Sequence, residues 1–307
     1  MRTPVSLCLT FDAPLYLPVV LARRIGAYDD AGLDVTMTVA AQPDDAALMV
    51  LDGRADVCVG GPIDIMLHRS RDESCDLVGF CAIVARDPFA LIARAPDPGF
   101  ALDRLVGRRF RPVTDVETPW LCLKEDLRRL AVDPEPLCPA TPLSMADGVA
   151  ALFAGELDVV QVFEPHVSRA VDGRRPAVLL AASSRGETLY TTLFSRAGFL
   201  DRADGAARRL THALARAQRT LFTTDPREIA ALAAADYPSI DPETLRLTVE
   251  RYVSQGVWSR EPRHSLAGFL RLKTAVVAGG WIDRDVPFEA CLTNIFAAPQ
   301  SVRSDPP

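Results

Sequence analysis

The sequence is poor in features that mark several common protein classes. Lysine is nearly absent, with only Lys124 and Lys273 in the chain, and no apolar run approaches the ~20 residues needed to cross a bilayer. The 34 basic residues stand against 40 acidic ones, which leaves a formal net charge of −6. Because such a surface carries no general positive field, we expect neither nucleic-acid binding nor membrane insertion.

The first residues carry no leader signature. Arg2 is not followed by an apolar region of roughly 7–15 residues, or by a small-residue cleavage site, before the first predicted strand. The sequence as given therefore predicts a cytoplasmic protein, and a periplasmic location requires that a leader has been removed. The residues alone leave both readings open.

Motifs of the common enzyme classes are also missing. The chain has no GxSxG, GxxxxGK[ST], HExxH or EF-hand pattern, and no GxGxxG after a predicted strand. Its seven cysteines are scattered without a CxxC pair, and its four histidines lie far apart. We therefore expect buried, reduced thiols and predict neither a metal site nor a cofactor.

What the sequence does contain is enough apolar material for a two-lobe folded protein. The chain has 307 residues, of which 49% are hydrophobic, and at this length about 75% of the unfolded surface becomes buried. Segments with strand and helix periodicity alternate along its first half. This alternation predicts an α/β fold with parallel sheets covered by helices on both faces. Beyond Gly198 the pattern is mostly helical, and a polar tail follows from Pro299 to Pro307.

Loops that follow predicted strands are the candidate ligand-binding segments. Helix N-termini and free backbone amides converge at such loops in open α/β sheets. The acids there can accept hydrogen bonds, the glycines admit a ligand close to the backbone, and the aromatic rings can stack. The candidate contacts are Phe11, Asp12, Tyr16, Gly60, Gly61, Glu117, Thr118, Trp120, Phe163 and Glu164, to which Arg185 and Thr191 are added from later segments.

Structural roles compete with ligand contact at several of these positions. Asp12 is equally suited to cap the next helix, and Thr118 followed by proline is a good helix start. The four aromatic residues are also suited to a hydrophobic core. Asp64 precedes His68 by four residues, which favours a solvated ion pair on one helix face.

Four segments resemble the solute-binding proteins of ABC importers for nitrate, sulfonate, taurine and thiamine pyrimidines. The likeness extends from about Val5 to Asp225, and it rests on the order and spacing of the segments. Two examples are Gly-Arg-Ala-Asp-Val-Cys-Val-Gly-Gly at 53–61 and Ala-Leu-Phe-Ala-Gly-Glu-Leu-Asp-Val at 151–159. The others are residues 17–35 and 102–109.

The resemblance implies the type II periplasmic-binding-protein fold, with two doubly wound α/β lobes. Lobe one would comprise residues 1–87 and 193–307, and lobe two residues 88–192, with crossings near Phe89 and Thr192. It also implies a small-molecule ligand in the cleft between the lobes, closure by hinge bending, and an ABC permease as partner.

The same superfamily contains the enzyme that makes the thiamine pyrimidine, and this chain departs from that enzyme. Residues 188–194 lie where the enzyme has a cysteine-rich run, and its reactive lysine falls near Gly60. Asp64 stands where its histidine would be. Glu164, however, matches a pyrimidine-contacting glutamate of the thiamine-related members.

These observations predict a non-catalytic binding protein for a small polar ligand. Because Asp12, Glu117 and Glu164 would repel anions, we expect a ligand with amino groups or positive charge, such as an aminopyrimidine or an amine. Arg185 is the candidate for holding an acidic group on a zwitterion. The alternatives are a cytoplasmic enzyme on the same fold, acting on a small pyrimidine or acid, and a cytosolic ligand sensor.

Overall fold

The structure is a computed structural model that describes residues 1–138, 141–171 and 176–297. The predicted polar tail, Pro299–Pro307, lies outside the described residues. The strands within these ranges are β1 (Thr3–Leu9), β2 (Leu33–Val39), β3 (Val57–Gly60), β4 (Leu77–Arg86), β5 (Ala90–Ala93), β6 (Phe110–Arg111), β7 (Val159–Val162), β8 (Ala177–Ala181) and β9 (Glu187–Arg196).

Helices follow most of the strands and make up nearly all of the C-terminal third, as the sequence predicts. The helices of the described residues are α1 (Leu17–Arg24), α2 (Ala27–Asp30), α3 (Asp45–Leu51), α4 (Pro62–Arg71), α5 (Thr118–Arg129), α6 (Met145–Ala154), α7 (His166–Ala170), α8 (Ala197–Leu200), α9 (Ala206–Thr223), α10 (Pro226–Ala233), α11 (Pro242–Ser254), α12 (Leu266–Ala278) and α13 (Phe288–Cys291). None of them is long and apolar enough to cross a membrane.

The strands form two mixed sheets. The first has the order β2-β1-β3-β9-β4, and the second the order β6-β7-β5-β8. In the first sheet β1 is parallel to β2 and β3, whereas β9 is antiparallel to β3 and β4. In the second sheet β5 is antiparallel to both its neighbours. The expectation of wholly parallel sheets is therefore wrong, because β5 and β9 enter from the other sheet without a helical crossover and are free to run in reverse.

The chain passes between the sheets twice. The outward crossing lies at residues 87–89, between β4 and β5, close to the predicted Phe89. The return crossing lies at residues 182–186, earlier than the predicted Thr192, because β9 pairs with the first sheet from Glu187 onwards. We call residues 1–86 and 187–297 the first-sheet half, and we call residues 90–181 the second-sheet half.

The C-terminal helices pack on sheets that the first two thirds of the chain build. On α9 the buried residues Leu210, Leu214, Ala217 and Leu221 recur at intervals of three and four, which places them on one helical face. This helix packs against α1 and α2, whereas α12 packs against β9 and also against α5 of the second-sheet half. The predicted role of the last third, as helices on existing sheets, is confirmed.

Prolines in first turns begin the two helices that matter most for the site. Pro62 starts α4 directly after the extended residue Gly61, and Pro119 lies in the first turn of α5. Thr118 is the first helical residue of α5 rather than its cap, and Glu117 precedes the helix without making a side-chain capping bond. Both side chains are therefore left for other contacts.

Candidate ligand-binding site

A cavity of about 360 Å³ lies where loops from the two halves meet. The loop after β1, the residues before α3 and the start of α4 line it from the first-sheet half, and residues 114–118 line it from the second. Ligand cavities commonly measure ~300–1,000 Å³, so this one suits a small molecule.

Aromatic side chains form much of the cavity wall. They are Phe11, Tyr16, Phe89, Tyr190 and Trp281. The rings of Phe11 and Tyr16 are stacked, with centroids 5.1 Å apart and planes inclined by 18°. Aromatic faces of this kind can stack on a planar ligand and attract a cation.

Four carboxylates line the same cavity, whereas no arginine, lysine or histidine of the described residues does. The acids are Asp44, Asp64, Asp115 and Glu117. Among the described residues none of the four forms an ion pair, and the one hydrogen bond to their side chains is the long contact of 3.4 Å from the Met145 amide to Asp115. These oxygens remain available as acceptors for a ligand.

Asp64 is the least exposed of these acids and lies in the first turn of α4. Burial, reinforced by the nearby charge of Asp44, raises the pKa of Asp64 to about 7. Burial also raises the pKa of Glu117. The nearby charge of Lys124 opposes this rise, and that of Asp44 adds to it. A positively charged ligand would offset the repulsion within this group of acids.

Tyr190 contributes a hydroxyl to which the described part of the chain offers no partner. The residue lines the cavity and is 7% exposed. Its buried Oη atom has no hydrogen-bond partner among the described residues. Buried hydroxyls nearly always find a partner, so this one marks a place where a ligand can supply it.

Several sequence-predicted contacts come together at the cavity. Those that line it are Phe11, Tyr16, Gly61, Glu117, Thr118 and Thr191. They come from the loop after β1, the start of α4, the start of α5 and strand β9, so residues far apart in sequence meet around one space.

Four other predicted contacts do not line it. Asp12 is exposed to solvent, and Gly60 is buried inside β3, where an added Cβ would meet Phe194 and Thr10. Trp120 packs in the core of the second-sheet half. Phe163 stacks behind the wall on Phe89, with ring centroids 5.0 Å apart.

Glu164 also lies away from the cavity, in a buried polar cluster. Its carboxylate accepts hydrogen bonds from the amide and hydroxyl of Ser168, both at 2.9 Å. It also pairs with Arg251 Nε at 2.6 Å and accepts from Thr248. Its side chain is fully buried, so these contacts satisfy it internally and join α7 to α11.

Arg185 is likewise engaged elsewhere. It lies in the return crossing and pairs with Asp87 in the outward crossing and with Asp126 on α5. Its guanidinium is therefore neutralised by two acids and does not line the cavity. The expectation that Arg185 holds an acidic group of the ligand has no support from this geometry.

The sequence interpretation missed Asp44, Asp64, Asp115, Tyr190 and Trp281. The expected Asp64–His68 ion pair is absent from the described residues; His68 instead has a lowered pKa, because of burial and Arg71. One signal for Asp64 was present, since it lies just after the Gly60-Gly61-Pro62 turn at the edge of the sheet. Tyr190 and Trp281 carry no such local signal.

A second, larger cavity of about 520 Å³ lies beside residues 256–266. Three arginines and two glutamates line it, so its charges are mixed. Its buried His264 has both ring nitrogens engaged, Nε2 with Thr192 at 2.8 Å and Nδ1 with the carbonyl of Thr293 at 3.2 Å. Nothing in it matches the group of uncompensated acids in the first cavity. Among the described residues, no group of three or more His, Cys, Asp or Glu is placed to hold a metal ion.

Comparison with known proteins gives a family that agrees with the fold. The model of the NMT1/THI5-like family matches residues 13–229, more than half of the chain. The chain belongs to the NMT1/THI5-like family. The resemblance noted from the sequence segments is thereby confirmed at the level of the family.

A curated relative and several solved structures are similar to nearly the whole chain. The binding protein YtlA of Bacillus subtilis (strain 168) is 22% identical over 96% of this chain and 89% of its own. The periplasmic aliphatic sulphonate-binding protein SsuA of Escherichia coli superposes with a TM-score of 0.74 at 15% identity, covering 93% of this chain and 96% of its own. The desulfurization enzyme DSZB superposes with a TM-score of 0.63 at 15% identity, covering 96% of this chain and 98% of its own.

These structures confirm the α/β fold of the periplasmic binding proteins for this NMT1/THI5-like chain. At such low identities the likeness concerns the fold and carries no ligand with it. The ligand must therefore be argued from the cavity itself.

Proposed function

We propose that the chain is the substrate-binding component of an ABC importer and that its ligand is a small nitrogen-containing cation. The family and the periplasmic binding proteins of similar fold support the first part. The observation that carries the second part is the set of four carboxylates facing a cavity that no basic side chain of residues 1–138, 141–171 and 176–297 lines. The proposed place of action is outside the cytoplasmic membrane, with an ABC permease as the partner that receives the ligand.

The chemistry of the cavity argues for an amine or aminopyrimidine rather than an anion. A sulfonate or nitrate would lose its water and meet four acids without a compensating cation, which is unfavourable. A protonated nitrogen would instead pair with Asp64, and the stacked rings of Phe11 and Tyr16 would hold its planar part. Gly61, Thr118 and Thr191 would supply further contacts.

Closure would bring the two halves together over the ligand. Asp64 and Tyr16 belong to the first-sheet half, whereas Asp115 and Glu117 belong to the second. We therefore propose hinge bending at the crossings 87–89 and 182–186 as the motion that buries the ligand.

Isothermal titration with benzylamine, an aminomethyl-substituted aminopyrimidine and butanesulfonate tests this function. We expect the two cations to bind, and Asp64→Asn to weaken their binding at least about tenfold, which corresponds to ~1.4 kcal/mol. Asp12→Asn is the matched control, because Asp12 is exposed and does not line the cavity. Binding of butanesulfonate alone, unaffected by Asp64→Asn, would refute the ligand class.

A second candidate is an enzyme on the same fold. The half-buried Asp64, with a pKa of about 7, has the properties of a general acid or base near neutral pH. The similar fold of the enzyme DSZB makes a reaction at this cavity worth testing. Mass spectrometry of a bound pyrimidine or acid after incubation would reveal turnover, which Asp64→Asn should abolish if the enzyme hypothesis holds.

A further inference from the structure

The acids of the cavity lie at two depths. Asp64 is half-buried beside Tyr16 and the end of β3, whereas Asp44, Asp115 and Glu117 are exposed at the mouth. One cation at Asp64 would therefore leave the three acids at the mouth without a counter-charge. An arrangement of this kind has room for a second positive group, separated from the first along the cavity.

The acids at the mouth also come from opposite sides. Asp44 precedes α3 in the first-sheet half, whereas Asp115 and Glu117 precede α5 in the second. Lys124 is close enough to Glu117 to favour its ionised form, but it does not line the cavity. Bringing the two sides together around an uncharged or anionic group would increase the repulsion between like charges.

The buried hydroxyl of Tyr190 shows independently that the cavity is built for an occupant. Its Oη atom lacks a partner in the described chain although the residue is 7% exposed and lines the cavity. The acids at the mouth are thus part of a ligand site and not an isolated patch of surface charge.

From this charge distribution we infer that the ligand carries two positively charged groups, one held at Asp64 and the other at the mouth between Asp44 and the pair Asp115 and Glu117. The inference rests on the proposed function and narrows its ligand class from a cation to a dication. The second group would compensate the acids on both sides and so favour the closed form.

Three probes that share one benzylamine core test the inference. They are benzylamine, para-xylylenediamine, which adds a second aminomethyl group at the far end of the ring, and para-(aminomethyl)benzoate, which adds a carboxylate there. We expect calorimetric affinity for the wild-type chain to rise about tenfold from benzylamine to the diamine. The benzoate should bind more weakly than benzylamine.

Variants at the mouth separate the two charges of the ligand. Asp44→Asn combined with Glu117→Gln should remove most of the advantage of the diamine over benzylamine, whereas Asp64→Asn should weaken the binding of both amines. Neither side chain makes a hydrogen bond in the described chain, so both variants should fold, which thermal denaturation would verify. Asp45→Asn is the control, since it removes a neighbouring charge that does not line the cavity.

The outcomes distinguish this inference from the proposed function. Equal affinities for benzylamine and the diamine, or tighter binding of the benzoate, would overturn the second cationic group and leave the proposed cation site intact. Failure of both amines to bind while butanesulfonate binds would overturn both. A diamine advantage that survives the double variant would also contradict the placement at the mouth.

Discussion

At the scale of single residues, the site depends on polar groups that have no partner in the described part of the chain. Asp64 carries a carboxylate with no ion-pair or hydrogen-bond partner among the described residues, beside Asp44 and in the wall of a cavity. Tyr190 carries a buried hydroxyl that is equally unpartnered. Such groups lower the stability of the empty protein and so favour a ligand that satisfies them.

The raised pKa of Asp64 predicts a pH-dependent stability. The pKa rises from 3.8 to about 7 on folding, so between these values the folded chain holds a proton that the unfolded chain has lost. The free energy of unfolding therefore falls as pH rises through this window. We expect the free energy of unfolding to fall by about 2 kcal/mol between pH 5 and pH 8. This is less than the full ~1.4 kcal/mol per pKa unit, because solvent screens part of the effect.

Urea denaturation of the wild type and Asp64→Asn at both pH values checks this. The variant, which stays neutral, should lack the loss assigned to Asp64, whereas Asp12→Asn should retain it. An equal fall in the free energy of unfolding for the wild type and Asp64→Asn would contradict the environment assigned to Asp64.

Tyr190→Phe should separate ligand binding from stability. Removing an unpartnered buried hydroxyl should leave the empty protein as stable or up to about 1 kcal/mol more stable. Amine affinity should fall, because the ligand loses a hydrogen bond. Tyr28→Phe is the matched control: the Tyr28 hydroxyl donates to the Val19 carbonyl at 3.0 Å, so its loss should destabilise the fold by about 1 kcal/mol. A Tyr190→Phe variant that is less stable than the wild type and binds amines with unchanged affinity would contradict this role of the hydroxyl.

At the scale of elements, buried ion pairs tie the second-sheet half to the rest of the chain. Glu164, after β7, pairs with Arg251 on α11, and Arg185 in the return crossing pairs with Asp126 on α5. The sequence placed Glu164 in a loop after a strand correctly, and it offered Arg185 as a ligand contact. The sequence could not reveal that residues far away along the chain form ion pairs with both side chains. Asp64 is the converse case, because its expected helix partner His68 does not pair with it.

Arg251→Ala should therefore act on stability and not on the ligand. It would leave the fully buried Glu164 carboxylate without its counter-charge, which should cost about 3 kcal/mol in the free energy of unfolding. Arg246→Ala on the same helix is the control. Arg246 pairs with the exposed Glu243 and Glu250, so its loss should cost under about 1 kcal/mol. Chemical denaturation measures both, and equal costs would show that the buried pair is unimportant.

At the scale of the whole molecule, the sequence predicts the two-part α/β architecture and the helical last third, but not the strand directions. Periodicity identifies a strand but does not show from which sheet the chain arrives. Because the chain enters β5 and β9 from the other sheet, these strands run antiparallel to neighbours. The same limit applies to the cavity. Phe11, Gly61 and Glu117 were found in loops after strands, whereas Tyr190 meets them only through the fold.

Hinge closure predicts a more compact protein with ligand bound. Small-angle X-ray scattering should record a smaller radius of gyration at saturating para-xylylenediamine than without it, because the ligand would join the acids of both halves. Butanesulfonate at the same concentration is the control and should leave the radius unchanged. A radius unaffected by a ligand that calorimetry shows to be bound would argue against the hinge.

The most direct test of the central claim is the pH dependence of benzylamine affinity. A cation at Asp64 favours the ionised carboxylate, so binding must displace a proton below about pH 7. Tyr16 and Cys58, which face Asp64 together with Asp44, have raised pKa values and stay neutral in this range. The pKa of His68, on the same helix, is lowered. Calorimetry from pH 5 to pH 8 should give an affinity that rises and then levels off in the wild type, and a weak, nearly constant one in Asp64→Asn. A wild-type affinity that is flat or falls with pH would contradict the account.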